Sequence, residues 1–67
     1  MIKIIVNGEV LEVSENCTLS GLVEQLALVG KKIAIELNME IIPRSLHHET
    51  RLHNSDKIEV VQAIGGG

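Results

Sequence analysis

The sequence predicts an α+β domain, a mixed sheet of four to five strands packed on one helix in the order β-β-α-β-β-β. Apolar residues alternate with a period of two at the start and again near the end of the chain, which is strand patterning. Between them Leu19, Leu22, Val23 and Leu26 fall at i, i+3, i+4 and i+7, one apolar helical stripe. A single amphipathic helix buries its stripe most simply against one face of a sheet.

Ile2, Ile4 and Val6 alternate with Lys3 and Ile5, and Asn7-Gly8 follows. That pair suits a type I′ turn, because both residues tolerate positive φ. Val10, Leu11 and Val13 continue into a second strand over residues 9–13, so the chain opens with a hairpin. Ser14-Glu15-Asn16-Cys17 is a connector, and Thr18 can cap the helix through its hydroxyl. The helix is expected over residues 19–28, with Gly21 inside it as a weakening residue and Gly30 ending it in a left-handed conformation. Lys31-Lys32 are expected to serve the helix C-terminal end, where cations are mildly favoured.

Ile33-Ala34-Ile35-Glu36-Leu37 reads as a third strand, Asn38-Met39 as a tight turn and Glu40-Ile41-Ile42 as a short fourth strand. Pro43 lacks an N–H, so that strand stops there or lies at an edge. Residues 44–54 have no clear period and read as loop with one helical turn at most, and Asn54-Ser55-Asp56 is turn chemistry. The final strand is expected over Lys57–Ala63, with Ile58 and Val60 on one face and Glu59, Val61 and Ala63 on the other. The expected core is Ile2, Ile4, Val6, Leu22, Val23, Leu26, Ile35, Leu37, Ile58 and Val60.

The chain has 67 residues and 45% apolar content without Phe, Tyr or Trp, so Ile, Leu and Val must build its core. A domain of this size has no room for a deep cofactor cavity or a separate catalytic domain. The net charge is −3 and no basic run or stacking aromatic is present, which argues against nucleic-acid binding. No apolar stretch is long enough to span a membrane, and no signal-peptide pattern opens the chain. Cys17 is the one cysteine, so an intramolecular disulfide is excluded and a cytoplasmic protein is expected.

The chemistry-bearing feature is Gly65-Gly66-Gly67, directly after the apolar strand. Glycine has no Cβ, so such a tail can enter a narrow channel that a side chain would block. Residues 1–64 are expected to form the domain and residues 65–67 a flexible handle for another protein's active site. Val61 and Ala63, with Ile5 on a neighbouring strand, are expected to form an exposed apolar patch beside the tail. Arg44 after Pro43 is a further candidate for partner contact, with a solvated arginine as the plain alternative. His47, His48 and His53 lack convincing metal-ligand spacing, and Cys17 has no evident base, so neither a metal site nor a catalytic nucleophile is expected.

The hairpin, helix, further strands and terminal glycines resemble the ubiquitin-like β-grasp superfamily, and within it the ThiS family of sulfur carriers. Three stretches carry the resemblance: Ile4-Ile5-Val6-Asn7-Gly8-Glu9, Asn38-Met39-Glu40-Ile41-Ile42-Pro43-Arg44, and Asp56-Lys57-Ile58-Glu59-Val60-Val61 through Gly66-Gly67. The resemblance implies that an E1-like (ThiF-like) enzyme uses ATP and Mg²⁺ to adenylate the Gly67 carboxylate. A persulfide donor then yields a thiocarboxylate, and a thiazole synthase (ThiG-like) takes the sulfur for thiamine formation. On that reading Gly67 carries the covalent chemistry, Gly65 and Gly66 give access, and the chain itself binds no cofactor and is not an enzyme. The sheet face bearing the patch is expected to dock on the activating enzyme. A carrier for another pathway (molybdenum or tungsten cofactor, or cysteine), a ubiquitin-like modifier and a plain binding module remain open at this point.

Overall fold

The computed structural model describes residues 1–62. Asn7 and Gly8 turn the chain with φ of 49° and 85°, the two positive values a type I′ turn requires. They join β1 (Ile2–Val6) to β2 (Glu9–Val13), paired antiparallel with Ile4 opposite Leu11. Helix α1 (Leu19–Gln25) follows, then β3 (Ile33–Leu37), β4 (Glu40–Ile42), a 3₁₀ turn (Arg44–Leu46) and β5 (Lys57–Gln62). The strands make one mixed five-stranded sheet in the order β2-β1-β5-β3-β4. With one helix on one face of that sheet, this is the β-grasp arrangement expected from the sequence.

β5 lies at the centre, parallel to β1 and antiparallel to β3. Its inner face carries Ile58, which joins Ile4, Val13, Leu19, Leu22, Ile35 and Leu52 in the fully buried core. All ten expected core residues are buried or packed against that cluster. Val13, Leu19 and Leu52 join them, and Leu52 comes from the stretch without periodicity. It is drawn in by an antiparallel bridge between Thr18 and Arg51, with Leu19 N–H donating to Thr50 and Leu52 N–H to Cys17.

The start of α1 is as expected: the Thr18 hydroxyl accepts the Gly21 N–H at 3.2 Å. Its end is a correction. The helix stops at Gln25, not at residue 28, and Ala27 rather than Gly30 takes the left-handed conformation that ends it, with φ of 60°. Leu28 N–H donates to Val23 and Ala27 N–H to Glu24, the paired bonds of a Schellman motif. Gly30 is left-handed too, at φ of 82°, but in the following turn. Lys31 and Lys32 therefore lie beyond the helix, whose last turn has no basic residue. The segment after Pro43 holds one 3₁₀ turn, and β5 is described to Gln62, so Ala63 lies outside the described residues.

Candidate functional site

The site expected from the sequence is the departure of the tail from the last strand. Gly65, Gly66 and Gly67, the 64/65 boundary and Ala63 lie outside the described residues. The strand that leads to them is held from both sides by asparagines. At its beginning, Asn38 N–H donates to the Lys57 carbonyl at 2.8 Å, and Lys57 N–H donates to Asn38 Oδ1 at 2.9 Å. Near its end, Val60 N–H donates to Asn7 Oδ1 at 2.8 Å, and Asn7 Nδ2 donates to the Val60 carbonyl at 3.3 Å. Both asparagines sit at hairpin turns with positive φ, 49° for Asn7 and 51° for Asn38. Sequence reasoning gave them turn roles and did not find these bonds to β5, because pairing partners in a sheet are non-local.

The outer face of the sheet carries alternate residues. Strand pairing places Ile5 beside Lys57, Glu36 beside Glu59 and Ala34 beside Val61. Val61 is 54% exposed and its in-register neighbour Ala34 is also exposed. Ile41, exposed as well, pairs with Glu36 one strand further out. The apolar surface at Val61 is thus shared with Ala34, while Ile41 is set apart from Val61 by Glu36 in the neighbouring row. Ile5 is not part of it. It lies beside Lys57, four residues back along β5, which at about 3.3 Å per residue is about 13 Å away, and Glu59 stands between them on the same face. The alternation in residues 33–37 was a signal that Ala34 points outward, but strand order was needed to bring it to Val61.

Arg44 is on the other side of the molecule. Its Nη2 donates to the Lys31 carbonyl at 3.0 Å, and it borders a shallow cavity of about 260 Å³ with Val23, Leu28, Ile33 and His47. Val23 is a helix residue and Ile33 points to the helix side, so Arg44 and Val61 belong to opposite faces. His47 is buried, and its Nε2–H donates to the Ile42 carbonyl at 3.0 Å. Among the described residues no cluster of His, Cys, Asp and Glu has a metal-binding arrangement. Cys17 is half-buried, its Sγ–H donates to the Thr18 carbonyl at 3.3 Å, and burial pushes the thiol above its ordinary pKa. A thiol held protonated is a poor nucleophile. No helix among the described residues is long and apolar enough to cross a membrane.

Comparisons with known proteins bear on the whole chain. It is 37% identical over 65 residues to the thiazole synthase of Paramagnetospirillum magneticum (strain ATCC 700264 / AMB-1), covering 97% of this chain and 20% of that protein. The chain thus spans about a fifth of the length of the first curated relative it matches. It is 38% identical over 50 residues to the sulfur carrier protein ThiS of Bacillus subtilis (strain 168), covering 75% of this chain and 76% of that one. The crystal structure of the thiamine biosynthesis protein ThiS from Geobacter metallireducens superposes with a TM-score of 0.85 at 26% identity, covering 98% of this chain and all of that one. The model of the ThiS family matches residues 3–67. The chain belongs to the ThiS family.

Proposed function

We propose that this chain is a sulfur carrier for thiazole formation in thiamine biosynthesis, acting as a protein cosubstrate and not as an enzyme. The observation that carries the reading is that the family match runs through Gly67 itself and so includes the glycine tail. A terminal carboxylate has a pKa near about 3.5, is ionised at neutral pH and is a poor acyl electrophile. An E1-like partner therefore adenylates Gly67: the carboxylate oxygen attacks the α-phosphate of ATP, and pyrophosphate leaves. ATP and Mg²⁺ are bound by that partner. The terminal sulfur of a protein persulfide then attacks the acyl carbon and AMP leaves. A thiol cleaves the resulting S–S bond, releasing the thiocarboxylate and ending as a disulfide.

A thiazole synthase is the proposed sulfur acceptor, supported by relatives of that name that align with nearly the whole chain. Gly65 and Gly66 let the end of the chain enter both active sites. The exposed surface of Val61, continued by its neighbour Ala34, is the proposed docking face for the activating enzyme, with Ala63 as its expected continuation. The lone, half-buried Cys17 fits a cytoplasmic location.

The test is intact mass spectrometry after incubation with an E1-like enzyme, ATP, a persulfide donor and a thiol. Replacement of one oxygen by sulfur, abolished by deleting Gly67, is the expected result. An unchanged mass with partners competent on another carrier would overturn the reading. Conjugation of Gly67 to lysines would replace it with that of a modifier.

A further inference from the structure

β1 ends at Val6, while β5, its parallel neighbour, continues to Gln62. The last paired residues of the two strands are Val6 and Ile58. In a strand the N–H and C=O of one residue point to the same side, and alternate residues face alternate neighbours. Ile58 presents its carbonyl to the β1 side, where Asn7 N–H donates to it at 2.9 Å. Val60, two residues on, must face that side as well, and there the hairpin has already turned away. Its N–H and C=O would otherwise have no strand partner. The Asn7 carboxamide supplies both, with Oδ1 accepting from Val60 N–H at 2.8 Å and Nδ2 donating to the Val60 carbonyl at 3.3 Å. A side-chain amide thus stands in for the peptide group of a longer β1.

We propose that Asn7 is a positioning residue for the transfer chemistry. It holds Val60, two residues before the last described residue Gln62, and so fixes the end of the strand that precedes the glycine tail in sequence. This rests on the carrier reading above. Asn7 reaches β5 through the backbone groups of Val60 in the plane of the sheet and not through the Val61 side chain, so its loss should lower the rate of chemistry and leave the Val61 contact in place. A small misplacement of a reacting group is enough to slow a step by one or two orders of magnitude.

The informative variants keep the turn. Asn7→Gly retains a residue at ease with positive φ and deletes the carboxamide. Asn7→Asp also tolerates this conformation and keeps the acceptor for Val60 N–H, but lacks the donor. Amide hydrogen exchange on the isolated chain is the first readout. Asn7→Gly should speed exchange at Val60 by about three- to tenfold, the size of one partly solvated hydrogen bond, while Ile4 and Ile35 keep wild-type protection and Asn7→Asp stays near wild type. The second readout is thiocarboxylate formation at saturating partner. Asn7→Gly should lower kcat by about tenfold with KM unchanged, and Asn7→Asp should recover part of it. Unchanged Val60 exchange overturns the proposal, as does a loss confined to KM. Wild-type kcat in Asn7→Gly, beside a wild-type chain that gains sulfur, overturns the positioning role alone. A wild-type chain that gains no sulfur overturns the carrier reading and the positioning role with it, whatever the exchange data show of the bond.

Discussion

His47 Nε2–H donates to the carbonyl of Ile42 at 3.0 Å, across the turn that Pro43 initiates. Ile42 is the last residue of the edge strand β4, and His47 is buried behind the 3₁₀ turn. The backbone carbonyl of His47 in turn accepts the N–H of Ser20 on α1 at 3.2 Å. One residue therefore ties the end of the sheet to the helix. His47→Leu leaves the carbonyl of the half-buried Ile42 without this donor, and the loss of such a bond costs about 1 kcal/mol. His47→Gln, which keeps an N–H donor, should lose less. Urea unfolding with an unchanged slope and a lowered midpoint checks this, and equal losses in the two variants would remove the hydrogen bond as the cause.

Of the non-glycine residues in left-handed positions, Ala27 at φ of 60° and Met39 at φ of 73° lack the short polar side chain that Asn7, Asn38 and Ser55 carry there. The left-handed conformation costs an L-residue about 1–2 kcal/mol, partly offset by the lower chain entropy that alanine or methionine has over glycine when unfolded. Ala27→Gly and Met39→Gly are each expected to stabilise the domain by a net of about 0.5 kcal/mol. Met39 is 87% exposed, so its side chain gives up little packing. At this chain length the expected rise in melting temperature is about 2–4 °C per substitution. A fall in melting temperature for Met39→Gly would mean that its side chain packs in solution.

The same two positions show where the sequence was legible and where it was not. Local signals with one physical meaning read correctly: Asn7-Gly8 placed the first hairpin, Thr18 the helix start, the alternation in residues 33–37 the third strand, and the Asn38-Met39 turn with Pro43 the bounds of the fourth. The helix end was misread because an alanine occupies the left-handed C-terminal position, and nothing in its side chain announces that conformation. Leu52 and His47 carry no periodic signal, since they are buried by pairing with residues 17–20 and 42. The face of each β5 residue was legible from its alternation. Which strands flank it was not, and that is why Ile5 was grouped with Val61 in place of Ala34.

Cys17 tests the electrostatics of the helix start. Burial raises its pKa in the folded chain above the usual 9.0. The folded state thus binds the thiol proton more tightly than the unfolded state. Stability from this source is complete below the unfolded value and is lost as pH rises through the folded one. Alkylation by iodoacetamide at pH 8 should be slower for the native chain than for the urea-unfolded chain, and a Cys17→Ser variant should lose less stability between neutral pH and about pH 10 than wild type. Equal alkylation rates would mean that the thiol is solvated. The magnitude is modest, because the sulfur is only half-buried.

The split of the expected patch into two faces gives the sharpest functional prediction. Val61 and Ala34 are in-register neighbours on the outer face, whereas Arg44 borders the helix-side cavity and donates to Lys31. If the outer face docks the activating enzyme, Val61→Asp and Ala34→Asp should each raise KM for adenylation by about tenfold, the scale of a contact that matters in an interface. Glu36 and Glu59 already lie on that face, so a new carboxylate adds repulsion to lost apolar contact. Ile5→Asp, about 13 Å from Val61 along β5, should have a smaller effect. Arg44→Ala should leave this KM unchanged, and combined with Val61→Asp it should give the Val61→Asp value, because sites on opposite faces with no shared partner act independently. Steady-state adenylation with the carrier as varied substrate reads all of these. A KM raised by Arg44→Ala and untouched by Val61→Asp would move the docking surface to the helix side of the sheet.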